Sequence, residues 1–95
     1  MSFTLSKTST VVAAKEQISC DLSGEAAILN LKNGIYYGLN HVGARVWSLI
    51  QEPKTVRELC DTLLFEYETE SEQCENDLLE LLQDLASNEL IEVRN

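Results

Sequence analysis

The sequence predicts an α+β domain in which a three-stranded antiparallel sheet precedes three short helices. Three observations carry that prediction. Residues 17 to 39 alternate apolar and polar side chains around an Asn33-Gly34 pair, a strong hairpin signal. From Asn40 onward, apolar residues recur at helical spacing in three successive segments. Pro53 and a Thr-x-x-Glu box separate the first two of those segments. Strands followed by helices suit helices packed on one face of a small sheet.

At the N-terminus Phe3 and Leu5 alternate with polar neighbours, and Val11-Val12-Ala13-Ala14 reads as weakly extended. Gln17 to Leu22 alternates better, with Ile18, Cys20 and Leu22 on one side of a strand that Ser23-Gly24 ends. The next strand, Glu25 to Leu31, meets Ile35 to Leu39 in a hairpin. A two-residue loop, Asn33-Gly34, would put Leu31 opposite Tyr36 and Leu29 opposite Gly38. A three-residue loop, Lys32 to Gly34 with Gly34 left-handed, puts Leu31 opposite Ile35, Leu29 opposite Tyr37 and Ala27 opposite Leu39. The second gathers Ala27, Leu29, Leu31, Ile35, Tyr37 and Leu39 on one face and leaves Ile28, Asn30, Tyr36 and Gly38 on the other. A slip of one residue inverts what is buried, so the three-residue loop is the preferred reading.

Asn40 suits an N-cap. Val42, Val46, Leu49 and Ile50 then form an amphipathic stripe, with Trp47 beside it. Gly43 in the first turn costs about 1 kcal/mol against alanine, which close packing should offset. Thr55 to Glu58 is a capping box for a second helix with the stripe Val56, Leu59, Cys60, Leu63, Leu64 and Tyr67. Thr69 to Glu72 repeats the box before a longer third helix. Cys74, Leu78, Leu81, Leu82 and Leu85 form that helix's buried face, with Leu79 at its margin. Leu90, Ile91 and Val93 add a short terminal strand. With no internal repeat and no linker, residues 1–95 read as one domain.

Composition excludes several functions. The 44% hydrophobic content is that of a globular chain. No apolar run approaches the roughly 20 residues of a membrane helix, and the N-terminus lacks signal-peptide features, so a cytoplasmic location and no membrane partner are expected. Residues 51–95 carry 13 acids against three bases, and residues 1–50 carry three acids and four bases. An acidic helical half repels phosphate backbones. The third helix offers no basic residue to base edges, so no nucleic-acid partner is expected. Cys20, Cys60, Cys74 and His41 match no zinc spacing, and the glycines form no phosphate loop. With a single histidine and two helical cysteines that read as buried, no catalytic residue, metal or cofactor is assigned, and the protein is not read as an enzyme.

What remains is the segment Ile35 to Leu39. Its short connection into a helix suggests a strand at a sheet edge, either open to an added peptide strand or covered by a helix or the chain's own N-terminal segment. About four backbone hydrogen bonds would supply about 4 kcal/mol, while micromolar binding needs about 8 kcal/mol. Side-chain pockets must supply the difference, and the third helix is the expected wall.

The segments Gly34-Ile-Tyr-Tyr-Gly-Leu-Asn40, Val42-Gly-Ala-Arg-Val-Trp47, Thr55-Val-x-Glu58-Leu and Cys74-x-x-Asp77-Leu78-x-x-x-Leu82-x-x-Leu85, closed by Leu90-Ile91, share one further property. In this order and spacing the chain, over about residues 17–93, resembles the PqqD-like family of RiPP recognition elements. These are small domains that bind leader peptides of ribosomally made, modified peptides. The wording is most similar to the stand-alone members of lasso-peptide clusters. The resemblance implies a winged-helix-like domain of three strands followed by three helices. It implies a leader docked antiparallel to the third strand, on the backbone of Ile35, Tyr36, Tyr37, Gly38 and Leu39, against a wall of Cys74, Asp77, Leu78 and Leu81. Tyr37 is expected on the helix-facing side, and Asp77 is a candidate partner for a leader cation or donor. The implied partners are a precursor leader peptide and a modifying enzyme such as a leader peptidase, with the protein a monomer or weak dimer. Two other readings stand beside this one: a structural or homodimerisation domain that uses the same strand edge, and a winged-helix nucleic-acid binder.

Overall fold

The computed structural model describes residues 5–94 apart from the side chain of Leu22; Phe3, read above as alternating with polar neighbours, lies outside the described residues. The elements follow in the order β1 (Thr10–Ala13), β2 (Gln17–Leu22), β3 (Glu25–Asn30), β4 (Tyr36–Leu39), α1 (His41–Leu49), β5 (Lys54–Thr55), α2 (Val56–Glu66), α3 (Ser71–Ser87) and β6 (Ile91–Arg94). The expected three-stranded antiparallel sheet is β2-β3-β4. A second three-stranded sheet, β5-β1-β6, joins the weakly extended N-terminal segment to the terminal strand and to two residues ahead of α2. The chain's N-terminal strand thus pairs in this second sheet and does not cover β4.

The β3–β4 register differs from both loops considered above. Ala26 pairs with Leu39, Ala27 with Gly38, Ile28 with Tyr37 and Leu29 with Tyr36. The loop is Leu31 to Gly34, and Gly34 is left-handed at φ 74° as expected. Tyr37 and Leu39 do face inward, but on β3 the inward set is Ala26, Ile28 and Asn30. Leu29, Leu31 and Ile35, assigned to the core from alternation, are exposed. The cause is Asn30, which is 1% exposed although it reads as a solvent residue. Its Nδ2 donates to Asn88 O at 2.9 Å and to Glu89 O at 3.5 Å, and its Oδ1 accepts from Lys32 N at 2.8 Å. A buried amide with its partners in place is compatible with a core. Asn33 Oδ1 accepts from Ile35 N at 2.9 Å and Gly34 N donates to Asn30 O at 2.8 Å, which closes the longer loop. The outward face therefore carries an apolar row across three strands, Ile18, Leu29 and Tyr36.

Helix α1 begins as the sequence implies: Asn40 Oδ1 accepts from Gly43 N at 2.9 Å. Its buried face is rotated from the expected stripe, because Gly43, Val46, Trp47 and Ile50 are inside and Val42 is 41% exposed. A Cβ on Gly43 would stand 3.0 Å from Leu39 Cδ2 and 3.2 Å from Leu39 Cβ. Glycine here lets the end of β4 and the first turn of α1 approach closely, as its low helix propensity required. Arg45 binds Glu66 through Nε at 2.9 Å and Nη2 at 2.7 Å, linking α1 to the last residue of α2.

The capping box of α2 forms in both directions, with Thr55 N donating to Glu58 Oε1 at 2.9 Å and Glu58 N to Thr55 Oγ1 at 3.1 Å. The repeat of that box at Thr69 does not form: α3 starts one residue later, with Glu70 at the N-cap and no side-chain cap bond. Cys74, Leu78, Leu82 and Leu85 of α3 are buried as expected, and Leu81 lies at the margin. They share one core with Ile28, Leu39, Val46, Trp47, Ile50, Leu59, Leu63 and Leu90.

Candidate peptide-binding groove

Strand β4 ends its sheet, and among the described residues it pairs with β3 alone. In an antiparallel pair only alternate residues exchange backbone bonds. Asn30 N donates to Ile35 O at 2.9 Å, so Ile28 with Tyr37 and Ala26 with Leu39 are the bonded pairs. The N–H and C=O groups of Tyr36 and Gly38 consequently point away from β3. Tyr36 puts its ring on the outer face, 67% exposed. Tyr37 takes the inner side, half-buried against the core. Burial, and then the nearby carboxylate of Asp84 on α3, push its phenol above the usual pKa.

Three residues past β4, Val42 opens an apolar cavity of about 170 Å³. Its wall on α3 is Cys74, Asp77, Leu78 and Leu81, so all four helix residues singled out from the sequence line one space. The rest of the lining is Val42, Val46, Leu63, Tyr67 and Thr69. Strand residues Ile35 to Leu39 do not line the cavity; they lead into it. Of the residues missed from sequence, Val42 and Tyr67 carried a signal, since each sits on a helical apolar stripe yet stays partly exposed. Thr69, read as a cap, is freed for the cavity by the later start of α3.

Asp77 is the one ionisable carboxylate in the lining, and its Oδ1 accepts from Gln73 Nε2 at 2.9 Å. Cys74 also neighbours Cys60 of α2, close enough for each thiol to affect the other's titration. Burial pushes the Cys60 thiol up to about 11 and raises that of Cys74. Near neutral pH both are therefore protonated and poor nucleophiles. Cys20, in contrast, is exposed on β2. A chromogenic disulfide reagent at neutral pH should titrate Cys20 in the folded protein, and Cys60 and Cys74 only after denaturation. Three equivalents reacting at one rate in native buffer would contradict the buried pair. Among the described residues no cluster of His, Cys, Asp and Glu could hold a metal ion, and no helix is long and apolar enough to cross a membrane.

This architecture has known counterparts. The solved structure of TbiB1 in complex with the TbiA(beta) leader peptide superposes with a TM-score of 0.80 at 36% identity, covering 85% of this chain and 94% of that one. The structure of lasso peptide synthetase B1 complexed with the leader peptide gives a TM-score of 0.76 at 21% identity, covering 86% and 96%, and shares the fold. No curated protein matches the chain. The family described as Coenzyme PQQ synthesis protein D (PqqD) matches residues 25–91, a span that holds β3, β4, all three helices and every residue of the groove. The chain belongs to the PqqD family.

Proposed function

We propose that this protein is a non-catalytic module that captures the leader of a ribosomally made precursor peptide. The leader adds antiparallel to β4 and lays two apolar side chains into the cavity against α3, and the complex is delivered to a modifying enzyme, a leader peptidase in a lasso-peptide system. The observation that carries this reading is continuity: the outward backbone of Tyr36 and Gly38 runs within four residues into the cavity at Val42. Likeness to a leader-peptide complex at 36% identity supports it. The energetics close. Two residues exchanging both backbone groups give about four bonds, about 4 kcal/mol net. Micromolar affinity needs about 8 kcal/mol, and two apolar side chains buried in the cavity supply about 3–6 kcal/mol. No bond chemistry is required of the module, because tethering the leader raises the effective concentration of the attached core peptide at the enzyme.

The test is a titration with the synthetic leader followed by backbone amide shifts. Shifts confined to β4, Val42 and α3, with no change in oligomeric state, are expected. Gly38→Pro removes one outward N–H and leaves the β3–β4 ladder whole, since proline is tolerated on an edge. It should weaken the leader by about tenfold or more, the equivalent of about 1.4 kcal/mol. Shifts elsewhere, or unchanged affinity in Gly38→Pro, would sink the proposal.

A further inference from the structure

The charge around the groove is one-sided. From Glu58 to Glu92 the chain holds 12 acidic residues and no lysine, arginine or histidine. Among the described residues two ion pairs form, Arg45 with Glu66 and Lys7 with Glu75, and neither involves Glu68, Glu70, Glu72 or Asp77. Asp77 lines the apolar cavity, and its carboxylate accepts from the neutral amide of Gln73. Thr69 lines the same cavity, so its exposed chain neighbours Glu68 and Glu70 stand at the mouth, with Glu72 in the first turn of α3. Arg45, one turn beyond Val42 on α1, is already held by two contacts to Glu66. The α3 N-terminus itself offers about half a positive charge, and Glu70 at the N-cap with Glu72 outweighs it.

The groove also has a direction. Strand β4 runs from the hairpin turn toward the cavity, and α3 runs back, from Ser71 at the cavity end to Asn88 beside Asn30. A peptide added antiparallel to β4 therefore has its N-terminal end at the cavity, and the residues ahead of those that fill it lie over the connection between α2 and α3. We propose, resting on the leader reading above, that this flank of the leader is cationic: one or more Lys or Arg residues N-terminal to the apolar anchors, set against Glu68, Glu70 and Asp77. The anchors supply the apolar match to the cavity. A cationic flank relieves the mutual repulsion of the carboxylates around it, which a neutral flank leaves in place and an acidic one increases. Exposed ion pairs are individually weak and screened by salt. The flank acts through several such contacts and through the attraction that steers the peptide to this end of the groove.

Titration of the full chain with the synthetic leader at low and high salt tests this. At about 0.05 M salt, Glu68→Gln with Glu70→Gln should weaken binding about threefold or more. Changing the Lys and Arg residues N-terminal to the anchors to glutamine in the peptide should do the same. Both changes together should cost little more than either alone, because they remove one interaction from its two sides. At about 1 M salt, where the Debye length is about 3 Å, the difference should vanish. Glu89→Gln with Glu92→Gln removes equal charge beside Asn30 and Lys32, at the other end of the groove, and should leave affinity unchanged. Glu68 and Glu70 are exposed, and α3 has no side-chain cap bond to lose, so the first variant should fold as the parent does. A leader with no Lys or Arg on that flank overturns the proposal, as does unchanged low-salt affinity in the Glu68 and Glu70 variant or an equal loss in the Glu89 and Glu92 variant. In each of these cases the leader reading stands. A leader that fails to bind the unaltered chain at either salt concentration overturns both.

Discussion

Asn30→Leu should destabilise the protein by about 1–3 kcal/mol, since it removes three part-buried hydrogen bonds, each worth about 0.5–1.5 kcal/mol net, and the added apolar contact returns part of that. The substitution looks favourable from sequence, placing an apolar residue at a position 1% exposed. It nevertheless strips Asn88 O and Glu89 O of their donor and Lys32 N of its acceptor. It also removes the group that enforces the Ile28–Tyr37 pairing over a one-residue slip. Chemical denaturation measures the first effect, and cross-strand contacts between Ile28 and Tyr37 in the variant report the second. A loss well under 1 kcal/mol would show that Asn30 follows the register rather than setting it.

Leu81→Glu should abolish most leader binding while leaving the fold intact. Leu81 lies at the margin of the core and lines the cavity, so the introduced carboxylate can reach water in the free protein. Its like-charge contact with Asp77 one turn earlier costs only about 0.2–0.5 kcal/mol. When a peptide fills the cavity, the carboxylate must be desolvated or protonated. That penalty of about 3 kcal/mol corresponds to a weakening on the order of 100-fold. The sign with pH is definite. Burial by the peptide raises the pKa of the new carboxyl, so the bound state takes up a proton and the lost affinity returns as pH falls. Isothermal titration of both proteins between neutral and mildly acidic pH checks this. Equal affinity of the two at neutral pH would remove the cavity from the binding site.

Helices were legible in the sequence because their signals are local. The Asn40 cap, the Thr55–Glu58 box and the α3 stripe each depend on residues within one or two turns, and each formed. The four α3 residues of the candidate site came instead from the resemblance to the PqqD-like family, since helical periodicity alone marks Cys74, Leu78 and Leu81 as core and says nothing of Asp77. The β3 face was misread because its decisive contact is remote: Asn30 is satisfied by Asn88, 58 residues away, and no alternation rule anticipates a buried amide. The second sheet escaped for a related reason, since β5 has two residues and acquires its identity only by pairing with β1. Trp47 entered the core and Val42 left it because α1 meets the sheet at an angle that its own periodicity does not specify.

The Asn30 contact also governs how the groove can move. It fastens the turn end of the hairpin to the C-terminal end of α3, while Tyr37 stands by Asp84 and Val42 by Leu81 further along. Strand and helix are thus held by a polar fastening at the turn end and by apolar core packing further along. From Asn88 back to Cys74 the helical arm is about 21 Å long at its usual rise. A swing of about 5° about the joint would shift its far end by about 2 Å, close to the radius of a methyl group. The cavity occupies the outer half of that arm, from Leu81 to Cys74, where a given rotation opens more space than it does beside Asn88.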